Sequence, residues 1–488
     1  MNTFILSLFD AFHAEKISYC HFKSNNNLEP ALCGVDDLDL LVAQSDRDSF
    51  MEIISSRGFR MAHDRGDKPT PFVFHFFGVD PKTGLFVHLH VYFRIITGGS
   101  ILKNHWIRVE NMFLESAQPR GPNGVYIPSA EADLILFVFR KFIEQPSLIE
   151  HYLFLKDWPN IKNELDWLVE QISVTEIHRL LDHWFPFVPT ALFDKCLGAL
   201  CDESSISTRV MLGLKIRKRM QVTVYSSSKA SLRRGMMFFG AHARGRLGLM
   251  RNNRTLFPGG LLVSFVGSEA SGKSTSSREA VKWLAERFDV SHIHVGKPKK
   301  NWRTKPFWFA IGIYSRLKSW AKQKKPTTQS STKELARISA NLPNPIICVL
   351  DSFDRKFWLK KHYSRMMEGG IVVTDRYPSL SGNGLDGPRI EPNTGYKSLL
   401  SRIERANYEM LPSPDIVFKM IAPLETTLER NALRDSPEPG PFVRGRFELA
   451  KKLNFPQTTV VEIDTTANQE TTILMIKNCI WAVKDVRA

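Results

Sequence analysis

Nine consecutive residues, Gly267-Ser268-Glu269-Ala270-Ser271-Gly272-Lys273-Ser274-Thr275, carry the chemistry most open to reading in this chain. They fit the pattern G-x-x-x-x-G-K-S. Gly267 and Gly272 let the backbone turn sharply and approach an anion. The N–H groups of Ser268, Glu269, Ala270 and Ser271, with the N-terminus of a following helix, can cradle phosphates. Lys273 can reach the β- and γ-phosphates, and the Ser274 hydroxyl can ligate a metal; Thr275 closes the loop. The pattern points to ATP with Mg²⁺. A Gly/Ser-rich turn that matches by accident is the bland alternative.

The flanks favour the first reading. The apolar run 261–266 predicts a strand, and 274–288 predicts a helix, so the loop has the strand–loop–helix context it needs. Further strands are predicted at 292–295, 371–374, 415–421 and 460–463, with helical stretches between them. That alternation argues an α/β domain over 261–488, with a parallel sheet flanked by helices. Asp375-Arg376-Tyr377-Pro378 follows the third of these strands. A carboxylate there suits Mg²⁺ or its water shell, and the arginine beside it can clamp a phosphate with two hydrogen bonds.

A second candidate lies near the N-terminus. The alternation Asp37-Leu38-Asp39-Leu40 puts two carboxylates on one face of a strand, a possible Mg²⁺ cradle. A strand over 17–23, a helix over 46–57 and strands over 72–79 and 85–93 complete an α+β unit spanning 1–128. Residues 129–225 read as a helical region and 226–260 as a basic linker rich in Ser, Gly and Arg.

Two resemblances attach to these motifs. The stretch around Ser24, Asp37 and Asp39 resembles the nucleotidyltransferase fold. That family places a third acid on a neighbouring strand; here the matching strand, FVHLHVYF, offers His88 and His90. The resemblance therefore implies either a domain that binds a nucleotide without transferring it or an altered metal site. Solvent-facing Asp and His on a half-exposed strand is the third possibility. The segment 261–488 resembles thymidylate kinase and its relatives through GSEASGKST, VVTDRYP, PDIVFKMIAPLETTLERNALRD and the closing VVEIDTT. The segment after Tyr377, PSLSGNGLDGPRI, resembles a bacterial subgroup in which such a domain follows a nucleotidyltransferase-like one. Ala270 stands where that family usually has glycine. The resemblance assigns Glu269 to an acceptor sugar hydroxyl and Arg376 to the acceptor phosphate. It assigns Arg430, Arg434, Arg444 and Arg446 to a lid over the transferring phosphoryl group. Asp354 and Arg355 fall where relatives contact base and phosphate, and Asp386 and Arg389 would line the acceptor side. Lys273, Asp375, Arg376, Arg434 and Arg444 are the expected catalytic set. Ser274 and Asp375 are expected to hold Mg²⁺.

Composition bounds the rest. At 488 residues the chain should form two to four domains. Its six cysteines show no C-x-x-C pair, which fits a reducing, cytoplasmic compartment and argues against a disulfide framework or zinc site. The apolar N-terminal stretch lacks a basic flank and reads as a helix face, not a signal peptide. The net charge of +16 is uneven: residues 204–325 hold 26 Lys and Arg against 4 Asp and Glu, leaving the remainder at −6. Such a block suggests an anionic partner, a membrane surface or glycan before nucleic acid, or merely a solvated surface. Within it, 297–325 mixes ten basic residues with six aromatics and no acid. The plain expectation there is a helix whose aromatics pack on the domain. The functional expectation is an ATP-dependent kinase acting on a nucleoside monophosphate-like acceptor. A nucleotide-gated binding protein that uses the basic surface is the rival.

Overall fold

The computed structural model describes residues 2–64, 70–98, 103–121, 124–144, 148–202, 204–225, 236, 254–296, 298–323, 345–380, 385–391 and 396–483. Most of the expected basic linker lies outside the described residues. The chain divides into two compact units, Met1–Arg254 and Thr255–Ala488.

In the first unit, helix α1 (Thr3–Ala14) is capped by the Asn2 side chain, which accepts from the N–H groups of Phe4 and Ile5. Its Ile5, Leu8, Phe9 and Phe12 are buried, as their helical spacing predicts. The strands of its main sheet are β1 (Tyr19–His21), β2 (Leu38–Val42), β3 (Arg60–Asp64), β4 (Val73–Val79) and β5 (Phe86–Tyr92), with helix α2 (Arg47–Ser56) between β2 and β3. They run in the order β1-β2-β5-β4-β3. The β2–β5 pair is parallel, and its register sets Asp39 opposite His90. The antiparallel β4–β5 pair sets His75 opposite His90 and Phe77 opposite His88. Strand β3 was not expected; its short sequence, Arg-Met-Ala-His-Asp, is too polar to stand out. Helix α3 (Ala130–Glu144) then forms the hub of the helical part. It buries an unbroken run from Ala132 to Phe139, as a helix surrounded by others must.

The second unit is built on β6 (Leu262–Gly267), β7 (Val290–His294), β8 (Ile371–Asp375), β9 (Ile416–Ile421) and β10 (Thr459–Asp464). Their order is β7-β8-β6-β9-β10, and every pairing is parallel. This is the expected mixed α/β architecture, a parallel sheet flanked by helices. The central strand β6 is buried along its whole length, which explains its unbroken apolar run. Around the sheet lie α4 (Lys273–Ala285), α5 (Lys305–Gln323), α6 (Pro345–Met367), α7 (Tyr396–Glu409), α8 (Leu424–Ala432), α9 (Gly440–Lys451) and α10 (Gln469–Ala482). Leu262, Val266, Val372 and Val417 of the sheet pack with Leu359 and Met366 of α6 and Ala450 of α9. The chain reverses its direction of travel across the sheet at β6, so the crevice beyond its carboxyl end is the place where such sheets bind ligands. All six cysteines are free thiols. Among the described residues no helix is long and apolar enough to cross a membrane.

Candidate functional site

The loop between β6 and α4 has the geometry its glycines require. Gly267 has φ +145°, and a Cβ there would come 2.5 Å from the Met420 carbonyl oxygen. Gly272, at φ +87°, ends the loop immediately before α4. Lys273 is buried; its ammonium donates to the Ser268 carbonyl and lies 3.5 Å from Ser271 Oγ. Burial, then the nearby Arg376, lower its pKa to about 8. Ser274 Oγ donates to Asp375 Oδ2 at 2.7 Å, and His294 Nδ1 lies 3.2 Å from the same oxygen. The other oxygen of Asp375, Oδ1, is buried and has no hydrogen-bond partner among the described residues. Burial raises the Asp375 pKa, but the hydrogen bonds from His294 and Ser274 outweigh it and bring it to about 2. The carboxylate is therefore ionised at neutral pH, with one oxygen left over for a cation or its water.

The loop opens into a cleft of ≈ 450 Å³. Glu269 to Ser276 and Arg376 line one part; Arg430, Arg434, Thr465, Gln469 and Ile473 line another. Glu269 is a meeting point for arginines from three segments. Arg376 Nη2 donates to its Oε1 at 2.8 Å, Arg446 Nε lies 3.0 Å from that oxygen, and Arg434 Nη1 lies 3.7 Å from Oε2. Arg376 and Arg446 also reach Asp386, at 3.4 and 3.8 Å. Burial opposes the charge on Glu269, yet Arg376 and Lys273 hold its pKa below the ordinary carboxylate value. Ala270, Arg376 and Asp386 all have positive φ, at 56°, 73° and 61°. Left-handed backbone at three non-glycine residues of one network marks strain that the surroundings must maintain, and such strain gathers at functional sites.

The structure sorts the lid arginines. Arg430 is fixed by Thr465, donating to its hydroxyl at 3.1 Å and its carbonyl at 2.8 Å. Arg446 joins the Glu269 network, whereas Arg444 is exposed on α9 and does not line the cleft. The two lie only two residues apart on one helix, so they face different directions, and sequence alone could not choose between them. His294, Thr465 and Gln469 were not expected at the site. Only the strand-end position of His294, directly opposite Asp375 in the β7–β8 register, signals it in retrospect.

Asp354 and Arg355, expected near base and phosphate, and Arg389, expected on the acceptor side, each hold partners within the protein. Asp354 is buried and accepts from the Asn301 amide and side chain, the Thr304 hydroxyl and the Trp308 indole. Arg355 is buried and donates to the carbonyls of Val295, Gly296 and Asp386 and to the Tyr408 hydroxyl. Arg389 pairs with Asp351 at 2.6 Å. The Asp354 carboxylate and the Arg355 guanidinium are engaged within the protein, whereas Arg389 keeps a buried Nε with no partner among the described residues.

In the first unit, Asp37, Asp39, His88 and His90 do share one sheet face. His88 Nδ1 lies 2.5 Å from Asp37, and its Nε2 lies 3.0 Å from His75 Nδ1. His90 Nδ1 lies 2.9 Å from Asp39, and the Lys23 ammonium lies 2.8 Å from the same Asp39 oxygen. His75 stacks on His90 with ring centroids 4.3 Å apart. Burial opposes ionisation of Asp39, but Lys23 and His90 hold its pKa far below the usual value. Burial lowers the His90 pKa to about 4, so this imidazole is neutral at pH 7. The Mg²⁺ cradle expected at Asp37 and Asp39 thus becomes two separate acid–histidine pairs, one neutralised by a lysine. Among the described residues no group of three or more His, Cys, Asp or Glu is placed to hold a metal ion. Asp80 stays apart, bound to Asn2 and Thr83.

No protein-family profile matches the chain. It is 26% identical to the uncharacterized ATP-binding protein YghR of Escherichia coli (strain K12) over 213 residues, 42% of this chain and 81% of that protein. It is 28% identical to the uncharacterized ATP-binding protein YghS of the same strain over 145 residues, 28% of this chain and 55% of that protein.

Proposed function

We propose that the second unit is a cytoplasmic ATP-dependent phosphotransferase of the thymidylate kinase-like kind, acting on a nucleotide-like or otherwise phosphorylated small-molecule acceptor. The relatives named as ATP-binding proteins support the nucleotide half of this reading. One observation carries the transfer half. The phosphate loop, the Ser274–Asp375 pair and the arginines Arg376, Arg430 and Arg434 line or adjoin a single cleft.

Phosphoryl transfer needs positioning and neutralisation of charge more than covalent help from the protein. The loop amides and Lys273 would cradle the β- and γ-phosphates. Ser274 and the unpartnered oxygen of Asp375 would hold Mg²⁺ directly or through water. When bound, Mg²⁺ supplies charge neutralisation across the phosphates. Arg434, exposed and 3.7 Å from Glu269, would turn toward the transferring group. Arg376 is poised between Glu269 and Asp386; an acceptor phosphate would compete for it, and an acceptor hydroxyl would take an oxygen of Glu269. The first unit, with Asp39 neutralised by Lys23 and Asp37 engaged by His88, would bind a nucleotide or related anion without transferring it.

The test is a phosphate-acceptor screen with ATP, covering nucleoside monophosphates, sugars and sugar phosphates. Arg376→Ala should weaken acceptor use far more than ATP binding. Equal loss of both, measured calorimetrically, means the arginine has been given the wrong role.

A further inference from the structure

Helix α5 presents an apolar face that stands exposed among the described residues. Trp302, just before it, and Phe307, Phe309, Ile313, Tyr314 and Leu317 along it are exposed, Phe309 at 72% and Tyr314 at 66%. At helical spacing Phe309, Ile313, Leu317, Tyr314 and Phe307 fall within one arc of roughly 160°. Trp308 lies outside that arc. It is half-buried, and its indole donates to the buried Asp354 at 2.9 Å. The same carboxylate takes Asn301 and Thr304, so the start of the helix is clamped to α6 while the aromatic arc faces away. Of the aromatics whose side chains are described, Trp308 alone turns inward, so the expectation that they pack on the domain fails for Trp302, Phe307, Phe309 and Tyr314.

The charges around the arc have one sign. Lys299, Lys300, Arg303, Lys305 and Arg316 are exposed. Lys300 and Arg303 lie over the rings of Trp308 and Trp302, at 4.5 and 5.1 Å. The sequence has no Asp or Glu from 290 to 333. A helix with an aromatic–aliphatic face bordered by lysine and arginine is suited to lie in the plane of an anionic bilayer, rings in the headgroup boundary and cations at the phosphates. Pairing this face with a second copy would set cation against cation with no acid to relieve them.

We propose that α5 is a docking surface for an anionic lipid bilayer, holding the second unit at a membrane face. This does not depend on the phosphotransferase reading. The test is sedimentation of the full chain with vesicles of phosphatidylcholine alone and of phosphatidylcholine with about one third phosphatidylglycerol. The chain should pellet with the anionic vesicles and release with added salt. Phe309→Ser with Ile313→Ser should weaken partition at least about tenfold, as should Lys305→Glu with Arg316→Glu. These side chains are exposed, so melting curves of both variants should match the parent and exclude misfolding. Equal binding to neutral and anionic vesicles, binding to neither, or unchanged binding by both variants overturns the proposal. A dimer in solution that Phe309→Ser with Ile313→Ser dissolves also overturns it, because a second copy would then be the occupant.

Discussion

At the scale of single residues the phosphate loop was fully legible, because its chemistry is local. Gly267, Gly272, Lys273 and Ser274 must sit at fixed offsets to do anything, and they do. Residues that act across space were harder to read. Asp354 and Arg355 have the right types for a site but are consumed by buried hydrogen bonds. Arg446 and Arg444 differ only in which way one helix turns. Arg446→Ala should therefore lower kcat/KM for the acceptor by at least about tenfold, since it strips a charge from a half-buried network. Arg444→Ala should stay within about twofold, as expected of an exposed side chain; steady-state kinetics on both variants decide it. A separate prediction rests on Asp133, buried in α3, whose Oδ2 accepts from Asn25 Nδ2 at 2.9 Å. Burial, then Glu164, raise its pKa to about 7 from the ordinary 3.8. A raised carboxyl pKa means the folded state holds the proton more tightly. Its stabilising contribution is complete below pH 3.8 and is lost as pH rises to about 7. Asp133→Asn keeps an acceptor for Asn25 and removes the titration. The variant should be more stable than the parent at pH 8 by up to a few kcal/mol, and not at pH 4; urea unfolding at the two pH values checks this.

Elements were legible where their pattern was strong. The buried strand β6 and the apolar stripe of α1 could be drawn from sequence, but β3 could not, since its five residues, three of them polar, carry no period. For α5 the sequence predicted a helix but favoured the wrong orientation, with its aromatics packed on the domain. Orientation is set by Asp354 on another helix, and no local pattern contains that information. Asp354→Ala would leave the donors of Asn301, Thr304 and Trp308 without their acceptor. The loss should be about 2–4 kcal/mol, and amide hydrogen exchange should rise in 301–312 while the phosphate loop stays protected. Retained protection at the start of α5 would show that the clamp lies elsewhere.

At the scale of the whole molecule, composition gave the prior of several domains, and the chain forms two compact units. A ligand that binds only the folded state stabilises it by about 2.7 kcal/mol at a hundredfold excess over Kd. ATP with Mg²⁺ should therefore slow exchange in peptides of the second unit around 267–276 and 430–434. Peptides around Asp37, Asp39, His88 and His90 should change only if the first unit binds nucleotide as well. The central claim is that Lys273 and its cleft transfer phosphate. The most direct measurement follows label from ATP, tagged in its γ-phosphate, into the best acceptor of the screen, for the parent and for Lys273→Ala. Removing this buried charge from the transferring phosphates should cost about 10³-fold or more in rate, with the variant still folded. Parent-like transfer by Lys273→Ala would contradict the account.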